Sequence, residues 1–162
     1  MIHTLKNHHI NTLQFPLKKS KSKGEIKLKR IKIDRSKCIG CLTCVSACLV
    51  SHDSADSRNR VVLSSDFKFS PIFCRNCDLP ECVYTCMSGA MRKDSETGYV
   101  TYDKNKCASC YMCIMACPYG TLKEDKATQK EIMKCDMCTH NSDGPQCVAK
   151  CPMAAITLKE VK

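Results

Sequence analysis

Four short segments hold all sixteen cysteines of this 162-residue chain, and their spacing limits what it can fold around. CIGCLTCVSAC (38–48) and CASCYMCIMAC (107–117) both read C-x2-C-x2-C-x3-C. CRNCDLPECVYTC (74–86) reads C-x2-C-x4-C-x3-C, and CDMCTHNSDGPQCVAKC (135–151) reads C-x2-C-x8-C-x3-C. Two motif types alternate along the chain, as repeats of one unit would. No cysteine is left over.

Three chemistries compete for such a pattern. Cysteine at about a tenth of the residues suits a disulfide-stapled secreted scaffold. That reading needs an export signal, and residues 1–37 hold no continuous apolar segment of the required length. Lys29-Arg30 is followed by IKID rather than an apolar run, and no later stretch could span a bilayer. The expected compartment is therefore cytoplasmic, where cysteines serve as metal ligands more often than as disulfides. Zinc sites take two C-x2-C pairs from separated positions, with no use for a third cysteine two residues on and a fourth one helical turn later.

A [4Fe–4S] cluster needs that arrangement. Two-residue spacers turn successive sulfurs inward around a compact core, and the fourth thiolate, four positions on, reaches a second cluster. Cys44 and Cys48 then share a helix with a rise of roughly 6 Å between them, which puts two clusters on the order of 10 Å apart. Sixteen thiolates serve four [4Fe–4S] clusters. No histidine is required, so His52 and His140 read as surface groups. The methionines of CMSGAM and YMCIMAC, with Ile39, Val45, Val83, Ile114 and Val148, read as apolar cover.

Composition agrees with a fold that depends on metal. Removing ligand cysteines from the 43% hydrophobic content leaves about a third, without a tryptophan, so site formation must supply part of the folding free energy. The net charge of +10 is uneven: residues 1–37 carry 11 Lys/Arg against Glu25 and Asp34, a net of +9. Residues 1–30 read as a basic, solvated tail containing KKSKSKG, with an acidic patch on a partner as its docking site. The competing reading is a cysteine-rich zinc protein whose basic tail binds nucleic acid.

The remaining pattern is α+β. A strand at RIKID (30–34) opens a domain over 31–162, and each x3 spacing falls on a short helix, in CVSACLVSH, CVYTC, CIMAC and CVAKC. AMRKDSETGYVTYD (90–103) is a hairpin turning at SETG, TLKEDKATQKEIMK (121–134) a hairpin or loop, and MAAITLKEV (153–161) a closing strand. Pro118 and Pro152 follow fourth cysteines and end their helices, whereas Leu49 and Met87 take the equivalent places after Cys48 and Cys86.

CRNCDLPECVYTCMSGAM, DSETGYV, KCASCYMCIMACPYG and the CDMC and CVAKCPMAAI segments carry a resemblance over residues 31–162. The chain resembles the four-cluster, ferredoxin-like electron-transfer subunits of dimethyl sulfoxide reductase, formate dehydrogenase and formate hydrogenlyase. Its CMSGAM form points to the branch associated with carbon monoxide dehydrogenase. The resemblance implies tandem bacterial-ferredoxin-like dicluster modules about a pseudo-two-fold, with motifs paired crosswise. Cys38, Cys41 and Cys44 would share a cluster with Cys151, and Cys135, Cys138 and Cys147 with Cys48. Cys74, Cys77 and Cys82 would take Cys117, and Cys107, Cys110 and Cys113 would take Cys86. It further implies a polyferredoxin-type wire between a catalytic subunit and a second redox partner. The catalytic subunit would be carbon monoxide dehydrogenase or a tungsten or molybdenum aldehyde or formate oxidoreductase, and the second a carrier, hydrogenase or flavin module. No catalytic residue of its own, no nucleic acid and no membrane span are expected.

Overall fold

The computed structural model describes residues 28–161. The chain runs β1 (Leu28–Ile33), α1 (Thr43–His52), β2 (Arg60–Leu63), β3 (Phe69–Ile72), α2 (Glu81–Tyr84) and β4 (Met91–Lys93). It continues through β5 (Val100–Tyr102), α3 (Met112–Ala116), β6 (Lys123–Glu124), β7 (Ile132–Met133), α4 (Gln146–Ala149) and β8 (Ile156–Val161). The strands form separate two-stranded antiparallel ribbons: β1·β8, β2·β3, β4·β5 and β6·β7. Two-stranded ribbons and helices of four or five residues are marginal on their own, so cohesion must come from what they pack around.

That centre is largely cysteine. One buried cluster joins Met91, Val100, Cys113, Leu122 and Ile132, a second joins Cys44, Phe73, Cys147 and Ile156, and a third joins Cys74, Cys135 and Met137. Packing crosses the sequence order. Helix α1 of the first motif lies against α4 of the last, and α2 against α3. The ribbon β1·β8 ties the chain ends together from Leu28↔Val161 to Ile33↔Ile156. The ribbon β4·β5 lies between the α2 and α3 motifs in the same way.

Matching local devices deliver the matching cysteines. Asp34 and Asp103 each cap a single 3-10 turn, accepting from Ser36 N at 3.1 Å and Asn105 N at 3.0 Å, and those turns lead into Cys38 and Cys107. Within the first loops, Gly40 and Ser109 take φ of 72° and 53°, and Leu42 and Tyr111 take 60° and 58°. In the C-x2-C turns of the other motif, Asn76 and Met137 take 45° and 60°. Left-handed residues bend each loop tightly enough to turn its sulfurs to one side. Gly40 has a second reason to be glycine, since a Cβ there would lie 2.6 Å from the Phe69 ring.

The structure departs from the sequence reading in several places. Strand β1 begins at Leu28, so Lys29 and Arg30 belong to the fold, while residues 1–27 of the expected tail lie outside the described residues. The ribbon β2·β3 was not anticipated. Pro71, which reads as a strand breaker, pairs with Val61 in a ribbon that needs no second neighbour. Helix α1 runs ten residues to His52, closed by Asp53 in the left-handed conformation, because Leu49 lets it continue past Cys48. Helix α3 stops at Ala116, just ahead of Pro118. Helix α2 also stops early, at Tyr84, with Met87 rather than proline beyond it, so proline is not required for the stop.

Candidate metal centre

All sixteen cysteines are free thiols, which removes the disulfide reading. Burial pushes the Cys44 thiol up to about 11, helped by the charges Cys38, Cys41 and Cys151 would carry beside it. Cys38, Cys41, Cys44 and Cys151 line one hollow with Leu42, Val61 and Ile156. Cys48, Cys135, Cys138 and Cys147 line another with Phe73 and Pro145. Cys147 is raised by burial and then by Cys135, Cys138, Cys48 and, from the adjoining group, Cys44.

The middle motifs repeat this. Burial takes Cys82 up to about 11, with Cys74, Cys117 and Cys77 adding to it, and Cys77 is raised by burial, Cys74 and Cys117. Cys113 is taken to about 11 by burial, then by Cys86 and Cys107. Buried thiols that would repel one another as thiolates hold their protons until a cation joins them, so metal loading must release protons. Four soft sulfur donors converging on one hollow is the donor set a [4Fe–4S] cluster takes, and these residues fit it.

Residues 65–161 match the 4Fe-4S dicluster domain family, and residues 31–48 match the 4Fe-4S binding domain family. The chain is 33% identical over 148 residues to the electron transport protein HydN of Escherichia coli (strain K12), covering 76% of this chain and 83% of that one. It belongs to the dicluster iron–sulfur electron-transfer family. Two other members show the family's breadth. The beta subunit of the NADH-dependent phenylglyoxylate dehydrogenase of Aromatoleum evansii is 35% identical over 133 residues, 78% of this chain and 29% of that one. The probable anaerobic dimethyl sulfoxide reductase chain YnfG of Escherichia coli (strain K12) is 34% identical over 147 residues, 76% and 69%. This dicluster protein transfers electrons rather than catalysing a reaction.

Hydrogen bonds to sulfur differ from motif to motif, which is how one fold holds equivalent groups at different potentials. Cys48 Sγ accepts from Arg58 N at 3.3 Å, Cys86 Sγ from Met91 N at 3.3 Å, and Cys107 Sγ from Ser109 N at 3.4 Å. Thr43 Oγ1 donates to Cys41 Sγ at 3.3 Å, and Thr121 Oγ1 lies 3.4 Å from Cys117 Sγ. Two exposed cysteines, Cys41 and Cys110, belong to the first and third motifs.

Several sequence expectations about the surroundings are corrected. His52 is not a surface group: its side chain is 5% exposed, with Nε2 3.0 Å from Asp136 Oδ1 and Nδ1 3.0 Å from the Cys48 carbonyl. The long reach of α1 carries it inward to a partner 84 residues away. His140 is exposed, as expected, with Nε2 on the Ser51 carbonyl at 2.9 Å. Of the methionines read as cover, Met91 is buried but Met87, Met112 and Met115 are exposed, and Ile39 is exposed while Val45, Val83, Ile114 and Val148 are half-buried. Basic charge is not confined to a tail: Arg30, Lys32, Arg35, Arg75 and Lys159 line one groove beside Cys74 and Cys77. Sequence reasoning also passed over Lys134 and Asn76, both buried polar residues, because the cysteine spacing says nothing about the burial of the residues between and beside the ligands. Among the described residues, no helix is long and apolar enough to cross a membrane.

Proposed function

We propose that this chain carries four [4Fe–4S] clusters and relays electrons along them between a catalytic oxidoreductase subunit and a second redox partner. The ligand sets would be Cys38, Cys41, Cys44 and Cys151; Cys48, Cys135, Cys138 and Cys147; Cys74, Cys77, Cys82 and Cys117; and Cys86, Cys107, Cys110 and Cys113. One observation supports this reading: a cysteine of one motif lies beside those of another, Cys151 with Cys38, Cys41 and Cys44, Cys48 with Cys135, Cys138 and Cys147, Cys117 with Cys74, Cys77 and Cys82, and Cys86 with Cys107 and Cys113. The crossed exchange would make two interleaved modules related by a pseudo-two-fold, and the packing of α1 on α4 and of α2 on α3 supports it.

When bound, each cluster supplies a one-electron couple. The protein's residues do the rest. Helix α1 carries Cys44 and Cys48 for two sets, and α3 carries Cys113 with Cys117 capping its end for two more, which fixes the spacing within a module. Cys74 and Cys135 pack in one buried cluster, which joins the modules at their inner sets. Cys41 and Cys110 expose the outer sets, and Ile39, Leu42 and Met153 at one end and Met112, Met115 and Met87 at the other leave apolar surface for partners. The catalytic partner in this reading is a carbon monoxide dehydrogenase or a tungsten or molybdenum oxidoreductase, which the family resemblance suggests.

Size exclusion of the native complex, followed through its iron, tests the relay. Elution in an assembly with a second redox subunit is expected. Elution as a lone 18.2 kDa species would instead make the chain a freely diffusing carrier.

A further inference from the structure

The most heavily buried cation of the described chain stands between the two modules. Lys134 is 5% exposed, and its backbone belongs to the loop that delivers Cys135. Its Nζ donates to Cys135 O at 2.8 Å and to Asn76 Oδ1 at 3.3 Å. Asn76 is 2% exposed and sits in the turn between Cys74 and Cys77. Its Oδ1 also accepts from Val100 N at 3.0 Å, which fixes that oxygen toward the lysine. One ammonium therefore bridges the loop of one inner set to the loop of the other.

Its charge is uncompensated. Among the described residues, no carboxylate forms an ion pair with Lys134. Two neutral carbonyl oxygens satisfy hydrogen bonds but do not offset a buried charge, whose desolvation is unfavourable. The groups that feel it are ligand sulfurs. Lys134 directly precedes Cys135 and, through Asn76, reaches the turn between Cys74 and Cys77, one loop from each inner set.

The fold does not need this lysine. Lys134 directly precedes Cys135, and the residue that directly precedes Cys74 in the matching motif is Phe73. Phe73 is 4% exposed and packs with Cys44, Cys147 and Ile156. Asn76 likewise corresponds to Met137, 4% exposed. Each loop is apolar at one of the two positions and polar at the other, Phe73 with Asn76 and Met137 with Lys134, so the site that holds the ammonium in one loop holds a buried ring in the other. A device that packing does not require, placed between two sets that gain negative charge on reduction, has an electrostatic use.

We propose that Lys134 is a potential-setting residue, held by Asn76, whose ammonium raises the reduction potentials of the inner sets containing Cys82 and Cys135. Adding one electron to either set increases the negative charge that the ammonium faces, so the reduced state gains more from it. The outer sets, containing Cys44 and Cys113, take no cysteine from the two C-x2-C turns that Lys134 joins, and feel it less. Electrons entering at either end come to rest in the middle of the protein. This rests on the four-cluster reading above.

The test is an electron-paramagnetic-resonance redox titration of the purified protein, with iron counted on the same samples. Lys134→Met keeps the size of the side chain and removes the charge, Lys134→Arg keeps the charge, and Asn76→Asp sets a carboxylate beside an unaltered lysine. Lys134→Met and Asn76→Asp are expected to lower two of the four midpoint potentials, and Lys134→Arg to restore them. At the wild-type inner midpoint the reduced-to-oxidised ratio should fall about tenfold, equivalent to about 59 mV for one electron. Full iron with all four potentials unmoved in both charge-altering variants overturns the inference. A wild-type iron count below four clusters overturns the reading beneath it, and the inference with it. Where Lys134→Met fails to load, Asn76→Asp decides alone.

Discussion

His52 Nε2 lies 3.0 Å from Asp136 Oδ1, which ties the end of the longest helix to the loop between Cys135 and Cys138. Asp136 Oδ1 also accepts from Cys138 N at 3.0 Å, so one carboxylate orders both the helix end and the ligand turn. Burial works to raise the Asp136 carboxyl, but the hydrogen bonds from His52 and Cys138 outweigh it and hold it below its ordinary value.

Removing that imidazole should loosen one ligand set. His52→Ala is expected to destabilise the loaded protein by about 1–3 kcal/mol, the cost of leaving a half-buried carboxylate short of a partner. Thermal midpoints and the rate of iron loss to a chelator measure it. His140→Ala, at an exposed ring, should change either by less than about 0.5 kcal/mol. Equal effects from the two would mean that the His52 contact does nothing for the turn.

The crossed ligand sets predict a pattern of non-additivity. Cys44→Ala and Cys151→Ala belong to one set, so each alone and both together should cost one cluster, leaving about 12 irons. Cys147→Ala with Cys151→Ala removes ligands from two sets, although they are neighbours in one motif, and should leave about 8 irons. Iron counts that follow sequence neighbours rather than crossed sets would reassign the ligands.

Gly40→Ala places a methyl against Phe69 and holds an L-residue at φ 72°. The left-handed conformation alone costs about 1–2 kcal/mol, and displacement of the ring adds to it. The Gly40→Ala, Phe69→Ala pair should recover the steric part and keep the backbone part. Chemical denaturation of the four proteins separates them, and full recovery in the pair would show that the backbone is unstrained there.

Asp56 Oδ1 accepts from Lys123 Nζ at 2.5 Å, joining the loop after α1 to β6. Burial favours the protonated acid, but the Lys123 hydrogen bond and charge prevail and lower the carboxyl below its ordinary value. A depressed folded value means the contact stabilises fully above the unfolded carboxyl value and is lost as pH falls through the folded one. The stability difference between wild type and Asp56→Asn should be about 1 kcal/mol near neutrality and shrink toward zero between about pH 5 and pH 3. A difference that stays constant with pH would show that the ion pair contributes nothing.

Much of this architecture is written in the cysteine spacing, because ligand geometry dictates local backbone. The x3 spacings fell on helices α1 to α4, and the turns at Asp94 and Asp125 fell inside their hairpins, where each aspartate accepts from the backbone two residues on. What escaped was set by distant partners. Whether His52 faces water depends on Asp136, and whether Lys134 is buried depends on Asn76, 58 residues away. The ribbon β2·β3 escaped because Pro71 and the run SSDFK hide a strand pattern that only cross-chain pairing reveals. Exposure of Met87, Met112 and Met115 was equally invisible, since an apolar residue beside a ligand reads as cover until the packing is known.

The count of iron and acid-labile sulfide on anaerobically purified protein tests the central claim most directly. Four clusters per chain predict about sixteen irons and about sixteen sulfides, in a brown protein that bleaches on reduction. A colourless protein with stoichiometric zinc and no sulfide would contradict it.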